Sequence, residues 1–304
     1  MASKCADGPT PGIYHDMPFE EYAALPYWNA SALKRLYLSP RAAKYGLATR
    51  ETPAMKTGTL VHMALLEPER FERECVVMPN FHGSMKEETA REKGYDGGKQ
   101  AKAEWLEAHK DATILEGAER DEVVGIASAF QACEPARQII EASQREVTII
   151  WDDPIGLRCK ARLDCLLQTE SGSYVVADVK KTSSVHPRSF NGQAGRLRYF
   201  LQAAFYLRAV ASHFERPYDP YAETPDRFLW IAFESNAPHF CRVFNVSNTA
   251  REAAHWELES VMRTVAWCER EQHWPDLAEQ VVELEMPDHE PYTAPEGVGV
   301  IEDE

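Results

Sequence analysis

The chain reads as an α/β protein, one sheet flanked by helices in a single domain of 304 residues. Three observations predict this class. Residues 157–168 and 173–180 are rich in Val, Leu and Tyr on either side of Glu170-Ser171-Gly172-Ser173, the pattern of a β-hairpin. Glu146–Trp151 alternates as a further strand, and Phe228–Glu234 and His239–Phe244 form a second strand pair around Asn236-Ala237-Pro238. Helical periodicity covers 119–142, Arg196–Phe214 and about 248–271, so helices and strands share one order along the chain.

Each element has a local reason. Residues 1–11 read as a flexible N-terminus, and 12–50 as an N-terminal helical cap. Within the cap, Ile13-Tyr14-His15 is extended and Glu20-Glu21-Tyr22 begins a short helix. Ser31 is placed to cap a second helix over Ala32–Leu38. Thr57-Gly58-Thr59 opens a helix that runs through Glu67 and stops at Pro68. Leu60, Met63, Ala64 and Leu66 give it apolar faces, with His62 among them. Such a histidine is either a satisfied core residue or a ligand, and the helix alone leaves both open. Residues 83–118 are charged and glycine-containing, a mobile segment passing into a helix near Ala101–His109. Val123, Ile126, Ala127, Phe130, Ile139 and Ile140 are core candidates of 119–142. Asp152-Asp153-Pro154 turns the first strand into the hairpin. After the hairpin, 183–195 reads as a polar loop. In the following helix Arg198, Gln202 and Tyr206 fall at i, i+4 and i+8 on one face.

Composition narrows the function classes. No run of eighteen apolar residues exists to span a membrane, and the N-terminus has no apolar signal segment. Seven cysteines are scattered without a C-x-x-C pair. That excludes the usual zinc-ribbon and iron–sulfur spacings and suits a reducing cytoplasm. Cys159 and Cys165 are expected to be small packing residues. The net charge of −15 argues against a nucleic-acid partner, but its distribution argues the other way. Ile155–Ala209 holds nine basic residues against three acids, whereas Asp276–Glu304 holds ten acids and no Lys or Arg. A local positive field is what phosphate binding requires. The 276–304 tail is expected to be solvated and flexible.

The hairpin carries the chemistry. Asp178-Val179-Lys180 begins fourteen residues after Asp164. Alternation points Asp178 and Lys180 the same way, and a registered hairpin lays Asp164 beside them. Neighbouring carboxylates bind a hard divalent cation, and a lysine beside that cation can hold or deprotonate a water. This is the chemistry of metal-dependent phosphodiester hydrolysis. The bland alternative is a surface hairpin with a salt bridge. Against it stands the apolar run Tyr174-Val175-Val176-Ala177, which would bury the strand that ends in these charges.

Taken together the motifs resemble the PD-(D/E)XK nuclease superfamily. They run in the order G-T-x-x-H at 58–62, a strand beginning with Glu146, x-D at Asp164, D-x-K at 178–180, and Q-x-x-x-Y at 202–206. The openings G-I-Y-H-D-M-P-x-E-E-Y and G-T-L-V-H-M-A-L-L-E-P-E-R-F are similar to the RecE-like phage exonuclease domain, the exonuclease eight type. The resemblance runs from about Gly12 to about Trp274, so the expected domain is 12–275. It implies a restriction-endonuclease-like core with a mixed central sheet. It implies metal ligation by His62, Asp164, Asp178 and the Val179 carbonyl, with Glu146 as an accessory acid. Lys180 would orient or deprotonate the attacking water, and Gln202 and Tyr206 would position the site or the DNA. Lys181, Arg188, Arg196 and Arg198 are the expected DNA contacts. Leu163 stands where the motif has its proline, which supplies backbone shape and no ligand.

The implied activity is a Mg²⁺-dependent DNA exonuclease, with Mn²⁺ as a substitute metal and no iron–sulfur cluster. It would work 5′→3′ on linear duplex DNA and leave 3′ single-stranded tails for recombination. A homo-oligomer, a phage single-strand annealing recombinase as partner, and a phage or prophage origin in a bacterial cytoplasm are implied with it. The alternative is a weakly catalytic module that binds DNA ends or docks a recombinase.

Overall fold

The computed structural model describes residues 8–46, 53–83, 87–214 and 226–276. The first seven residues, part of the charged 83–118 segment and nearly all of the expected acidic tail lie outside the described residues.

Strand β1 (Gly12–Tyr14) is followed by the helices α1 (Phe19–Ala24), α2 (Ala30–Lys34) and α3 (Pro40–Tyr45). Helices α4 (Pro53–Leu66) and α5 (Pro68–Glu74) lead to β2 (Cys75–Val77), α6 (Glu87–Glu92), α7 (Lys99–Ala108) and β3 (Thr113–Leu115). Next come α8 (Gly117–Ala132) and α9 (Glu134–Ala142), then the long strands β4 (Gln144–Asp153), β5 (Leu157–Gln168) and β6 (Tyr174–Thr182). Helices α10 (Pro187–Arg196) and α11 (Tyr199–His213) cross to β7 (Arg227–Glu234) and β8 (Cys241–Asn245), and α12 (Asn248–Glu271) follows.

The main sheet has the order β1-β4-β5-β6-β7-β8 and is mixed, as the resemblance implies: β6 and β7 are parallel, and every other pair is antiparallel. Two cores cover its faces. One joins Val147, Ile149, Ala161, Leu163 and Val176 to Leu33, Phe205 and Leu258 from α2, α11 and α12. The other joins Ala177, Val179 and Ile231 to Leu60, Ile126 and Ile140 from α4, α8 and α9. Cys159 and Cys165 are fully buried in these cores, which fits the packing role expected of them. Among the described residues no helix is long and apolar enough to cross a membrane.

Several local expectations are corrected. The extended Ile13 segment is not part of a helical cap; it pairs with β4 as the edge of the main sheet. Helix α2 begins earlier than expected, because Asn29 and not Ser31 caps it, accepting from the Ala32 N–H at 2.8 Å. The 119–142 stretch is two helices, broken at Cys133. The loop expected over 183–195 ends at His186: Pro187 starts α10, which buries Phe190 and Ala194, four residues apart. Arg198 has a left-handed φ of +54° and separates α10 from α11. It therefore does not extend the Gln202/Tyr206 helix face.

Candidate metal centre

The site lies where β5 and β6 part. Their ladder runs from Gln168↔Tyr174 to Cys165↔Ala177 and stops one step short of Asp164 and Asp178. Backbone groups released by that divergence need new partners. The Val179 N–H donates to Asp164 Oδ2 at 2.7 Å, and the Val179 carbonyl meets His62 Nε2 at 3.0 Å. The β5 edge is filled again further on by Trp28, whose N–H donates to the Arg158 carbonyl and whose carbonyl accepts from the Lys160 N–H. One divergence thus brings α4 in over β6 and the N-terminal region in along β5.

Across the β4–β5 pair, Glu146 falls opposite Asp164 with a left-handed φ of +55°. The alternation of β5 breaks here as well. Leu157, Cys159, Ala161 and Leu163 pack on the α11 side, whereas Cys165 packs on the α4 side. The Glu146 carboxylate is held by Arg162, whose other arm donates to the Met17 carbonyl at 2.7 Å. One donor atom each from His62, Glu146 and Asp164 come within 4.8 Å of one another.

The electrostatics of this group favour a proton or a cation among its members. A carbonyl only accepts, so the His62–Val179 contact assigns the proton to Nε2 and leaves a lone pair on Nδ1. That nitrogen faces Asp164 Oδ2 at 3.5 Å, acceptor against acceptor. Burial and Lys180 lower the His62 pKa, so the imidazole is neutral. Burial and then Asp178 push the Asp164 carboxyl up to about 8. Burial and Asp164 raise Glu146 too, against the pull of Arg162. A proton or a metal ion must lie between such groups. Two carboxylates, an imidazole and a nearby main-chain carbonyl suit a divalent cation of the Mg²⁺ or Mn²⁺ kind.

Asp178 stands apart from this trio. It is 2% exposed, forms an ion pair with Lys180, and accepts from Gln202 Nε2 at 2.9 Å. Burial works to lower the Lys180 pKa, yet Asp178 and Asp164 hold it above its ordinary value. Tyr206 lies one turn beyond Gln202 on the same helix, and burial raises its phenol pKa. The structure thus sets His62, Glu146 and Asp164 together, with the Val179 carbonyl beside His62, and places Asp178, Lys180 and Gln202 in a second linked group on the adjoining strand and α11. Two residues that spacing did not single out also belong here. Arg162 holds Glu146, and its place two residues before Asp164 on the same strand was a usable signal. Lys34 donates to Gln202 Oε1 at 2.8 Å, and nothing in its local sequence announces that.

The expected basic surface is largely taken up within the fold. Lys181 pairs with Glu122 at 3.0 Å, Arg208 with Asp153 and Glu259, and Arg158 with Asp152. Arg198 pairs with Glu257 and lies 3.9 Å from the centre of the Tyr37 ring. Lys160 is buried and donates to the carbonyls of Tyr22, Ala23 and Leu25. Of the four expected DNA contacts only Arg188 and Arg196, both exposed on α10, make no ion pair among the described residues. A cleft of about 800 Å³ borders the trio on the Glu146 side, where Arg70, Arg73 and Arg145 alternate with Asp16, Glu67 and Glu74.

A family described as a PDDEXK-like domain of unknown function (DUF3799) matches residues 30–285. The chain belongs to that family. The PDDEXK-like domain is thus a member of the PD-(D/E)XK nuclease superfamily that its ordered motifs resemble. A solved structure of a candidate exonuclease from Eubacterium rectale shares its fold, with a TM-score of 0.58 and 14% identity. The match covers 89% of this chain and 96% of that one. A second solved structure, of SSO0001, is 12% identical over 69% of this chain and 85% of its own, at a TM-score of 0.28, too low to carry structural inference. No curated protein matches the chain significantly.

Proposed function

We propose that this nuclease-fold protein is a Mg²⁺-dependent DNA exonuclease that degrades linear duplex ends 5′→3′ and leaves 3′ single-stranded tails. The observation that carries the reading is the trio His62, Glu146 and Asp164, with donor atoms within 4.8 Å of one another, and with the Asp178–Lys180 pair on the adjoining strand. His62, Glu146, Asp164, Asp178 and the Val179 carbonyl would hold the metal. When bound, a divalent cation polarises a phosphodiester and lowers the pKa of a water. Lys180, held protonated by Asp178, orients that water's oxygen by donation and offsets charge on the phosphate as it is attacked. Gln202 keeps Asp178 in place, Tyr206 on the same helix would position the site or the DNA, and Arg188 and Arg196 offer exposed cations to the DNA backbone.

End preference and polarity rest on the RecE-like resemblance, as do a homo-oligomer around DNA, a single-strand annealing recombinase as partner, and a phage origin in a bacterial cytoplasm. The test is a digestion time course on linear and closed-circular duplex DNA, with and without Mg²⁺, using substrates labelled at either end. Metal-dependent loss of the linear form alone, with the 5′ label released first, is expected. Cutting of the closed circle, or equal loss in chelator, would refute the reading.

A further inference from the structure

Three side chains on three separate elements form a relay into the site. Lys34 Nζ on α2 donates to Gln202 Oε1 at 2.8 Å, and Gln202 Nε2 on α11 donates to Asp178 Oδ1 on β6 at 2.9 Å. An ammonium offers donors and no acceptor. Lys34 therefore dictates the sense of the amide: its oxygen must face Lys34, and its NH₂ must face Asp178. Without Lys34 the amide can turn over and set oxygen against carboxylate. The two ammonium groups flank a shared partner, for Lys34 Nζ and Lys180 Nζ lie 5.3 and 5.0 Å from the centre of the Tyr199 ring.

Lys34 is held there by more than its own bond. Asn29 caps its helix, Leu33 beside it is fully buried, and Trp28 is stitched to the β5 edge. We infer that Lys34 is a positioning residue for the metal centre, orienting the Gln202 amide and, through it, the Asp178 carboxylate that holds Lys180. This rests on the reading of the site given above. It makes the N-terminal region part of the active centre, and it requires Lys34 to act through Gln202 and not by touching DNA.

The test titrates the full-length metal-free protein with Mn²⁺ by calorimetry, as wild type, Lys34→Met, Gln202→Met and the double variant. Lys34→Met should weaken Mn²⁺ binding about tenfold, the scale on which such outer contacts act. The double variant should be no weaker than Gln202→Met alone, because the two residues act in series. In cleavage assays kcat should fall with KM for DNA unchanged, and Lys34→Arg should recover most of the loss. Lys34→Gln, which offers an acceptor as well as donors, should show the same defect and serves if the methionine variant does not fold. Unchanged Mn²⁺ affinity, additive losses in the double variant, or a raised KM with unchanged kcat would each overturn the inference. Failure of the wild type itself to bind Mn²⁺ would overturn the metal-centre reading and this inference with it.

Discussion

Replacing Asp164 by asparagine should change the pH dependence of stability in a way that the structure dictates. Asp164 is 8% exposed, and burial together with Asp178 moves its carboxyl from 3.8 up to about 8. Between those values the metal-free folded protein keeps a proton that the unfolded chain has released. The contribution of this group is therefore fully favourable below 3.8, declines by about 1.4 kcal/mol per pH unit through the window, and levels off above about 8. From pH 5 to pH 7 that amounts to roughly 3 kcal/mol. The substituted amide would carry no such charge and could still accept the Val179 N–H. The assay is urea unfolding at pH 5, 6 and 7 in chelator, with the two proteins compared at each pH. The difference should shift in favour of the variant by roughly 3 kcal/mol over that range. Added Mn²⁺ should then reverse the order by stabilising the wild type, since binding to the folded state alone is stabilising. Parallel pH curves in chelator, or equal stabilisation of both proteins by Mn²⁺, would refute the reasoning.

Other perturbations separate the parts of the site. His62→Ala should abolish measurable Mn²⁺ binding while costing only about 1 kcal/mol of stability for the lost Val179 contact; a large drop in thermal stability with intact Mn²⁺ affinity would show His62 to be a core residue. Lys180→Met leaves Asp178 buried without its cation. It should lose cleavage and about 3–5 kcal/mol in urea unfolding at pH 7, and a stable, active variant would contradict that. In Ca²⁺, Arg188→Ala and Arg196→Ala should each reduce the slope of log affinity against log salt by about 0.9. Arg198→Ala should leave the slope unchanged, because Glu257 and Tyr37 already occupy its guanidinium. Equal slopes in all three variants would place the DNA path elsewhere.

What is legible in the sequence is whatever one strand or one helix determines alone. The β5–β6 hairpin, β4, β7 and α12 follow from alternation, helical period and turn residues, and Asp178 and Lys180 share a face because side chains alternate. Helix α10 is hidden because only Phe190 and Ala194 go inward, while Gly192, Gly195 and an exposed arginine at each end give it the composition of a loop. Arg198 is misplaced because a helix period cannot register a single left-handed residue. Glu146 is undervalued for a similar reason: a regular strand would not turn its carboxylate towards Asp164 and His62, and the φ of +55° has no local cause in the sequence. Lys34 and the internal pairing of Lys181 and Arg208 depend on partners many residues away. Counting charges along the chain treats those cations as a surface field, whereas the fold uses most of them to hold its own segments together.

The position of β1 has a consequence for synthesis. Gly12–Tyr14 leaves the ribosome well before its partner residues Thr148–Ile150, which follow more than 130 positions later. Lys34 and His62 also wait, for Gln202 and for Val179. Contacts of such sequence separation form late and incur loop-closure entropy before any bond offsets it. No nascent chain that stops short of α11 can hold the full centre, since it lacks the amide that links Lys34 to Asp178. A chain with this nuclease fold would thus complete its centre only after most of its sheet has been translated.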